Sequence, residues 1–262
     1  DATPDGDIVL GSGETRHADL IVAANGINSV IRESLGLIDS QVWQNEGGVR
    51  MVIPRLPEDI ATDEHDGTAM IEAWSNKRRI LYCPNSQSEI YVILTCMERD
   101  TAARATPIDV GAWQQSFPTM GSLLERVACD TDWNECRWVL FQTIRLKRWS
   151  EGRVAILGDA AHAMPPYLGQ GAGHAMMNGL GLAAAVGEAP DLANALELWE
   201  YRERPLTEHT QRWTRVYGAT IFLPEWLKSL AINAEKYIPW LAAQYSRAAK
   251  HLPTGCDPGL TL

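Results

Sequence analysis

Residues 153–180, RVAILGDAAHAMPPYLGQGAGHAMMNGL, carry the pattern that decides the fold. Residues 153–157 form a short apolar run that is typical of a buried strand. Gly158 and Asp159 follow at its carboxyl end, where open α/β sheets bind ligands and where glycine lets a ligand approach the backbone. Residues 169–173 then lead into a helix predicted from Gly171 to about Val186, whose free N–H groups favour an anion or an electron-rich ring edge. The pattern predicts a ligand-binding strand–loop–helix unit, although a tight packing turn would use the same glycines.

The composition is that of a globular protein and limits the classes of partner. Hydrophobic residues make up 45% of the chain and charged residues 21%. The net charge of -10 argues against a nucleic-acid binder, and no apolar run approaches the roughly 20 residues of a membrane helix. The five cysteines form no CxxC pair, which argues against a zinc site or a disulfide framework. We therefore expect a cytoplasmic protein with reduced thiols and no metal, membrane or nucleic-acid partner.

The remaining segments predict an α/β (α+β) protein with an antiparallel, β-rich middle region. Short runs rich in β-branched and aromatic residues, separated by turn residues, predict strands, and longer segments predict helices. The predicted strands are residues 7–10, 18–24, 49–54, 69–74, 78–83, 90–97, 139–146 and 153–157. The predicted helices are residues 29–36, 110–117, 121–128, 171–186, 192–217 and 225–250, the last interrupted by Pro239.

The segment around Gly158 and Asp159 closely resembles the GD motif of FAD-dependent aromatic hydroxylases, the single-component (group A) flavoprotein monooxygenases of the para-hydroxybenzoate hydroxylase type. The resemblance implies that Asp159 accepts a hydrogen bond from a ribityl hydroxyl of FAD. It implies that Pro165 and Pro166 line the reactive edge of the flavin, and that backbone N–H groups at the helix start face the pyrimidine end of the ring. The FAD-binding residues implied here are Gly158, Asp159, Gly169, Gln170, Gly171 and Ala172.

A second segment, residues 18–32 (ADLIVAANGINSVIR), resembles the DG motif of the same family. The usual core of that motif is Asp-Gly-x-x-Ser-x-x-Arg, and Gly26, Ser29 and Arg32 match it in spacing. The resemblance implies that Asn25, Gly26 and Arg32 lie near the FAD pyrophosphate and take part in NAD(P)H use. Asn25 stands where the family has Asp, so hydrogen-bonding capacity is kept and the charge is lost.

The segments VIPRL, RRILYCP, PIDVGAW and AMMN are similar to the hydroxylases of pyridine-ring vitamin B6 breakdown. This resemblance implies that Arg79 and Tyr91 face the substrate, with Arg79 binding a carboxylate and Tyr91 a water or a ring hydroxyl. A further aromatic position falls at Phe141. From the residues alone Arg79 could equally be a solvated charge beside Arg78, and whether Arg79 and Tyr91 share a sheet face depends on the hairpin register. His162, inside the GD segment, is expected to be structural because the flavin performs the oxygen chemistry.

The activity that the resemblance implies is hydroxylation of an aromatic or N-heteroaromatic carboxylate. NAD(P)H would reduce FAD, O2 would form a C4a-hydroperoxide, and its distal oxygen would attack the ring. Two alternatives stay open: another flavin oxidoreductase or halogenase on the same scaffold, and a non-catalytic remnant that serves in assembly. The expected partners are a small aromatic carboxylate, O2 and further copies of the chain.

No G-x-G-x-x-G segment opens this chain, because Gly11-x-Gly13 precedes another strand and not a helix. We therefore expect a missing N-terminal segment or a complementary chain to complete the FAD site, and an isolated fragment to be inactive. The expected division is residues 1–38 and 149–188 in an incomplete FAD-binding, Rossmann-like domain, residues 39–148 in a β-rich substrate domain, and residues 189–262 in C-terminal helices.

Overall fold

The computed structural model describes residues 1–57, 59 and 69–253, and in them the chain divides into two compact units. The first unit contains residues 1–42, 142–220 and 226 onward, and the second contains residues 43–141 and 221–225. The chain passes from one unit to the other four times, after residues 42, 141, 220 and 225. The four-part division expected from the sequence assigns a role to each segment, and it stays a prediction.

The described residues form ten strands, eight α-helices and four short 3-10 turns. The strands are β1 (Asp7–Val9), β2 (Thr15–His17), β3 (Ile21–Ala23), β4 (Ile38–Pro54), β5 (Ile71–Ser75), β6 (Arg78–Pro84), β7 (Glu89–Met97), β8 (Val139–Leu146), β9 (Ser150–Glu151) and β10 (Val154–Ile156). The α-helices are α1 (Val30–Ser34), α2 (Val110–Ser116), α3 (Gly121–Asp130), α4 (Asp159–His162), α5 (Gly171–Glu188), α6 (Leu192–Gly218), α7 (Glu225–Tyr237) and α8 (Pro239–Tyr245). Short 3-10 turns are Pro118–Met120, Pro166–Leu168, Ala219–Phe222 and Ala248–Lys250.

The first unit is built on a small sheet in which β10 lies between β3 and β9. Strand β10 pairs parallel to β3, with Val154 opposite Ile21, and antiparallel to β9. All three residues of β10 are buried, as expected for a parallel strand covered on both faces. Among the described residues β3 forms the edge of this sheet.

Helices α5 and α6 pack closely because small residues of α5 meet larger side chains of α6. The Cα of Gly181 lies against the side chain of Glu203, so that an added Cβ would fall 3.0 Å from Glu203 Cγ. The indole Nε1 of Trp199 donates a hydrogen bond to the carbonyl of Asn178 at 2.8 Å. The helix predicted for residues 225–250 is interrupted at Pro239, as expected from the missing proline N–H.

The second unit contains an antiparallel sheet with the strand order β5-β6-β7-β4-β8. One face carries an apolar cluster that α2 and α3 cover, with Trp113 and Leu124 completely buried. The opposite face carries a smaller cluster of Leu81, Ile93 and Phe141. The predicted antiparallel middle region is thus confirmed.

Three strands were not predicted from the sequence in full: β2, the first part of β4, and the two-residue strand β9. Strand β4 begins at Ile38 and not at Val49, because its first part has no alternating apolar pattern. Pairing with β7 begins within this part, at Glu46 opposite Met97. Gly47 is required there, since an added Cβ would lie 2.4 Å from the carbonyl oxygen of Val139. Strand β2 is short and fully exposed, so it carries no burial pattern.

The described residues contain free cysteines, and they show neither a metal-binding cluster nor a membrane-spanning helix. Cys83, Cys96, Cys129 and Cys136 are free thiols, and Cys256 lies outside the described residues. Residues 1–57, 59 and 69–253 contain no group of three or more His, Cys, Asp or Glu placed to hold a metal ion. Within the same ranges, no helix combines the length and the apolar character needed to cross a membrane.

Candidate active site

The two motifs that resemble FAD-binding segments emerge at the same edge of the first unit's sheet. Strands β3 and β10 are parallel neighbours, so Asn25–Gly26 and Gly158–Asp159 both follow the carboxyl ends of adjacent strands. The N–H of Leu157 donates to the carbonyl of Ala23 at 3.0 Å and continues the pairing past the strand ends. The sequence predicted each loop separately, and the sheet brings them together.

Gly158 makes the sharp turn from β10 into α4. Its φ of 63° and ψ of -144° lie in a region that L side chains rarely adopt. Its carbonyl accepts the N–H groups of Ala161 and His162 at 2.9 Å each, and these bonds start the short helix. Asp159 is therefore the first residue of α4. It is exposed, and no side-chain hydrogen bond or ion pair links its carboxylate to another described residue.

Residues 163–170 connect α4 to α5. Pro165 is buried, and its carbonyl accepts a hydrogen bond from Thr214 Oγ1 at 3.2 Å. Pro166 opens a 3-10 turn that Gly169 ends in the left-handed conformation, with φ 65° and ψ 17°. Gln170 points its side chain away from the helix start, because its Nε2 donates to the carbonyl of Tyr245.

At its N-terminus, α5 presents backbone N–H groups without helical acceptors beside an open surface. No side chain caps α5, and the first N–H bonded back to the preceding turn is that of His174, to the carbonyl of Gln170. The N–H groups of Gly171, Ala172 and Gly173 therefore lack intrahelical acceptors. A Cβ added to Gly171 would lie 4.0 Å from Asp159 Oδ1, which places the carboxylate beside these donors.

We call residues 25–26 and 158–173 the glycine cradle. Added Cβ atoms at Gly26, Gly169 and Gly173 would meet no other atom within 4 Å, so the surface around these glycines is open. An exposed carboxylate can accept hydrogen bonds from a polyol chain, and a row of free N–H groups suits an electron-rich ring edge. The donors, the acceptor and the open surface fit FAD as the resemblance assigns it.

Arg32 lies beneath the glycine cradle and holds its two loops together. Its guanidinium is 1% exposed, and it donates from Nη1 to the carbonyl of Ala160 at 3.0 Å and from Nη2 to the carbonyl of Ile27 at 2.8 Å. Ser29 caps α1, its Oγ accepting the backbone N–H of Arg32 at 3.2 Å. Burial lowers the pKa of Arg32 from its ordinary value, partly offset by Glu33. The hydrogen bonds of this side chain are to the backbone of α4 and of the loop after β3, and Glu33 Oε1 lies 3.7 Å from its Nη2.

His162 is part of a buried polar network and not of the open surface. Its ring is 2% exposed, and its Nε2 lies 3.0 Å from Asn178 Nδ2, which also donates to Thr207 Oγ1 at 3.2 Å. Burial, followed by repulsion from His174, lowers the pKa of His162 to about 3. The imidazole is neutral near pH 7, in keeping with the structural role expected for it.

The substrate residues implied by the resemblance share one face of the second unit's sheet. Arg79 pairs with Thr95 and Cys83 pairs with Tyr91, so Arg79 and Tyr91 point to the same side. Arg79 is 1% exposed, forms an ion pair with Glu72, and lies 5.3 Å from the centre of the Trp74 ring. The solvated-charge interpretation of Arg79 is therefore wrong.

Tyr91 and Arg50 complete this face, and Arg50 was missed from the sequence. Burial raises the pKa of the Tyr91 phenol, and Arg50 and Arg79 oppose that rise. Arg50 lies opposite Ile93 while Val52 lies opposite Tyr91, so Arg50 and Tyr91 point to one side. The signal was the alternation of Gly48, Arg50 and Val52 with three buried apolar residues. Phe141, 6% exposed, belongs to the apolar cluster of this face.

Comparison with known proteins supports the resemblance to FAD-binding proteins. Residues 7–204 match the family model described as FAD binding domain. The chain is 34% identical over 251 residues to the probable 2-heptyl-3-hydroxy-4(1H)-quinolone synthase AqdB2 of Rhodococcus erythropolis, covering 96% of this chain and 64% of that protein. It is 26% identical over 253 residues to the 6-hydroxynicotinate 3-monooxygenase of Bordetella bronchiseptica, covering 89% of this chain and 63% of that protein.

A solved structure shares the fold over almost the whole chain. A point mutant of 2-methyl-3-hydroxypyridine-5-carboxylic acid oxygenase matches with a TM-score of 0.81 and 33% identity, over 96% of this chain and 64% of that chain. The tetrameric form of the same oxygenase matches with a TM-score of 0.80 and 31% identity, over 98% of this chain and 67% of that chain. The mixed α/β fold with an antiparallel insertion is confirmed. The chain spans about two thirds of the length of these relatives, and by the match over residues 7–204 it belongs to the FAD binding domain family.

Proposed function

We propose that this chain supplies the glycine cradle and the substrate-binding sheet of an FAD-dependent monooxygenase that hydroxylates an aromatic or N-heteroaromatic ring with NAD(P)H and O2. The observation that carries the proposal is the parallel pairing of β3 with β10, which brings both FAD-type motifs to one sheet edge. The relatives named above include a monooxygenase and an oxygenase of such rings, which agrees with this activity.

The roles of the cradle residues follow from their donors and acceptors. FAD, when bound, would supply the redox and oxygen chemistry. Asp159 would accept hydrogen bonds from the ribityl hydroxyls, and the N–H groups of Gly171 and Ala172 would stabilise negative charge on the ring. The pyrrolidine rings of Pro165 and Pro166 fix their φ angles, so these two residues would hold the protein surface beside the flavin ring in place.

The second unit's sheet face supports a carboxylate as the substrate's anchoring group. Arg79 and Arg50 supply two cations there, and Tyr91 supplies a hydroxyl beside them. Guanidinium groups bind carboxylates through two parallel hydrogen bonds. We therefore favour a hydroxylated aromatic or pyridine-type carboxylate.

One contact favours a second candidate, a neutral ring of the quinolone type. Glu72 already neutralises Arg79, which leaves less positive charge for a substrate carboxylate. The Rhodococcus relative is named for a quinolone product that carries no carboxylate. The two candidates differ in whether removal of Arg79 weakens binding of the substrate.

A further segment is proposed to complete the FAD site, either upstream on the same polypeptide or on a separate chain. Strand β3 has an unpaired edge within the described residues, and Val22 on it is 44% exposed. Met176 and Leu180, one turn apart on α5, are 70% and 52% exposed. A strand and a helix carrying G-x-G-x-x-G would cover these apolar surfaces. We place the assembled enzyme in the cytoplasm, where its free thiols would stay reduced.

A fusion experiment tests the proposal. The chain is joined to the N-terminal strand–turn–helix segment of a flavin enzyme of this family and assayed for bound flavin, NAD(P)H oxidation and O2 uptake. We expect a yellow protein whose NAD(P)H oxidation is stimulated by 2-methyl-3-hydroxypyridine-5-carboxylate or 6-hydroxynicotinate, with a hydroxylated product. The Arg79→Ala variant should raise KM at least about 10-fold, because a charged hydrogen bond contributes about 1.5–3 kcal/mol.

The control is Arg137→Ala, which removes an exposed arginine of the same unit. A KM that rises for carboxylates and stays constant for a neutral quinolone assigns Arg79 to the carboxylate. Flavin reduction without oxygen insertion would support an oxidoreductase instead, and a fusion that folds without flavin would support a non-catalytic role.

A further inference from the structure

A cavity of about 530 Å³ lies in the first unit, away from the glycine cradle residues. Helix α6 forms one wall, and the chain that follows α8 forms the other. Its volume is in the range of small-molecule sites in proteins. None of the motifs recognised in the sequence contributes to its lining.

Six of the residues that line the cavity are basic: Arg202, His209, Arg212, Arg247, Lys250 and His251. Arg202, His209 and Arg212 lie on α6 at successive spacings of seven and three residues, which places them on one face of the helix. Among the residues that the structure describes, no aspartate or glutamate lines the cavity. This concentration of positive charge occurs in a chain whose net charge is -10.

The charge of the cavity is only partly compensated. Arg202 pairs with Glu188 at 2.8 Å, and His251 Nε2 lies 3.2 Å from the buried Glu203 Oε2. Arg212, Arg247 and Lys250 form no ion pair with any carboxylate in the described part of the chain. Three uncompensated cations around one cavity repel each other, and this cost is relieved if an anion binds between them.

His209 also lines the cavity and lies in the electric field of its arginines. His209 Nε2 lies 3.3 Å from the carbonyl of Gln244. Burial lowers the pKa of His209 below its ordinary value, and the charges of Arg247 and Arg212 lower it further. The field of the two arginines therefore reaches the ring inside the cavity.

We propose that this cavity binds an organic diphosphate of nucleotide size. Arginine guanidiniums match phosphate oxygens through paired hydrogen bonds, and lysine adds a point charge. A monocarboxylate would neutralise one of the three free cations, whereas a diphosphate carries enough charge for all of them. The alkyl parts of Pro205 and Leu206 give the cavity an apolar wall on which the organic part can rest. The inference does not depend on the FAD site.

Titration calorimetry of the full chain in 0.1 M NaCl tests the proposal, with ADP and inorganic pyrophosphate as probes and adenosine as the uncharged counterpart. We expect both phosphates to bind, and adenosine to bind at least about 10-fold more weakly than ADP. The Arg212→Gln/Arg247→Gln variant should weaken ADP binding at least about 10-fold. The matched Arg16→Gln/Arg137→Gln variant, which removes two exposed arginines elsewhere, should bind ADP like the parent chain.

Two further measurements place the ligand. ADP should raise the pKa of His209, followed by NMR of its ring protons, because a bound anion cancels the field of the arginines. Asn25→Ala, in the loop that the resemblance places near the FAD pyrophosphate, should leave ADP binding unchanged, which separates this cavity from the glycine cradle. The proposal is overturned if neither phosphate binds, if both double variants weaken binding equally, or if ADP binds without moving the His209 titration. Thermal melts of each variant verify that a loss of binding is not a loss of folding.

Discussion

At the scale of single residues, two buried histidines link the stability of the first unit to pH. Burial lowers the pKa of His162 to about 3 and that of His174 to about 4. Both rings pack within the polar network of Asn178 and Thr207. The folded protein therefore keeps both imidazoles neutral where unfolded chains would protonate them.

The expected consequence is a loss of stability as the pH falls from about 6.5 to about 4. In that window the unfolded state binds protons that the folded state does not, so the free energy of unfolding falls by up to about 1.4 kcal/mol per pH unit for each histidine. Urea unfolding between pH 7 and pH 4.5 measures this slope. Carboxylates with lowered pKa values, such as Asp100, act at lower pH, where their stabilising contribution is lost.

The His162→Gln variant isolates one of the two groups, since glutamine can still accept a hydrogen bond from Asn178. The free energy of unfolding of this variant should fall less steeply with falling pH than that of the parent chain. An unchanged slope would mean that His162 is not neutral and buried in solution, and His17→Gln, at an exposed position, is the control.

For the site residues, the sequence predicted which residues lie at strand ends or in motifs better than it predicted their burial and their contacts. Asp159 could be placed at a strand end because an apolar run stops one residue before it. The burial of Arg79 and its partner Glu72 could not be predicted, because they depend on the register between β5 and β6. Arg50 was recoverable from the alternation of β4 but was not singled out.

At the scale of elements, Arg32 connects the loop after β3 to helix α4. Its guanidinium is the common partner of the carbonyls of Ile27 and Ala160. In Arg32→Met both carbonyls lose a charged donor while the apolar stem is kept, so we expect the free energy of unfolding to fall by about 2–4 kcal/mol. Urea unfolding of the chain without flavin measures the effect.

The control for Arg32 is Arg16→Met, which removes an exposed arginine. A change below about 0.5 kcal/mol in Arg32→Met, accompanied by weaker flavin binding in the fusion protein, would assign Arg32 to the cofactor and not to the fold. Such a result would restore the direct FAD role that the DG-type motif implies.

Elements with a strong local pattern were predicted closely. Strand β8 and the starts of α5, α6 and α7 fall where the sequence placed them. The first part of β4 was not predicted, because a polar strand held by its neighbours leaves no periodic signal. The parallel contact of β3 with β10 joins segments about 130 residues apart, and only the resemblance suggested it.

At the scale of the whole molecule, the described residues contain the two FAD-type motifs and an antiparallel sheet, and about a third of the length of each relative lies outside the part that it shares with this chain. The lack of G-x-G-x-x-G in the sequence led to the expectation of a further segment, which stays a prediction. The cationic cavity was beyond prediction, because its walls come from α6 and from residues 247–251, which only the fold brings together.

The affinity for FAD of the fusion protein and of its Asp159→Ala variant tests the central claim most directly. Asp159 is exposed and makes no side-chain bond to the described residues, so its removal should leave the unfolding curve unchanged. We expect FAD to bind about 10-fold or more weakly, because a charged acceptor for the ribityl hydroxyls is lost. The exposed Asp5→Ala variant should bind FAD like the parent. An Asp159→Ala protein with unchanged FAD affinity would contradict the assignment of the glycine cradle.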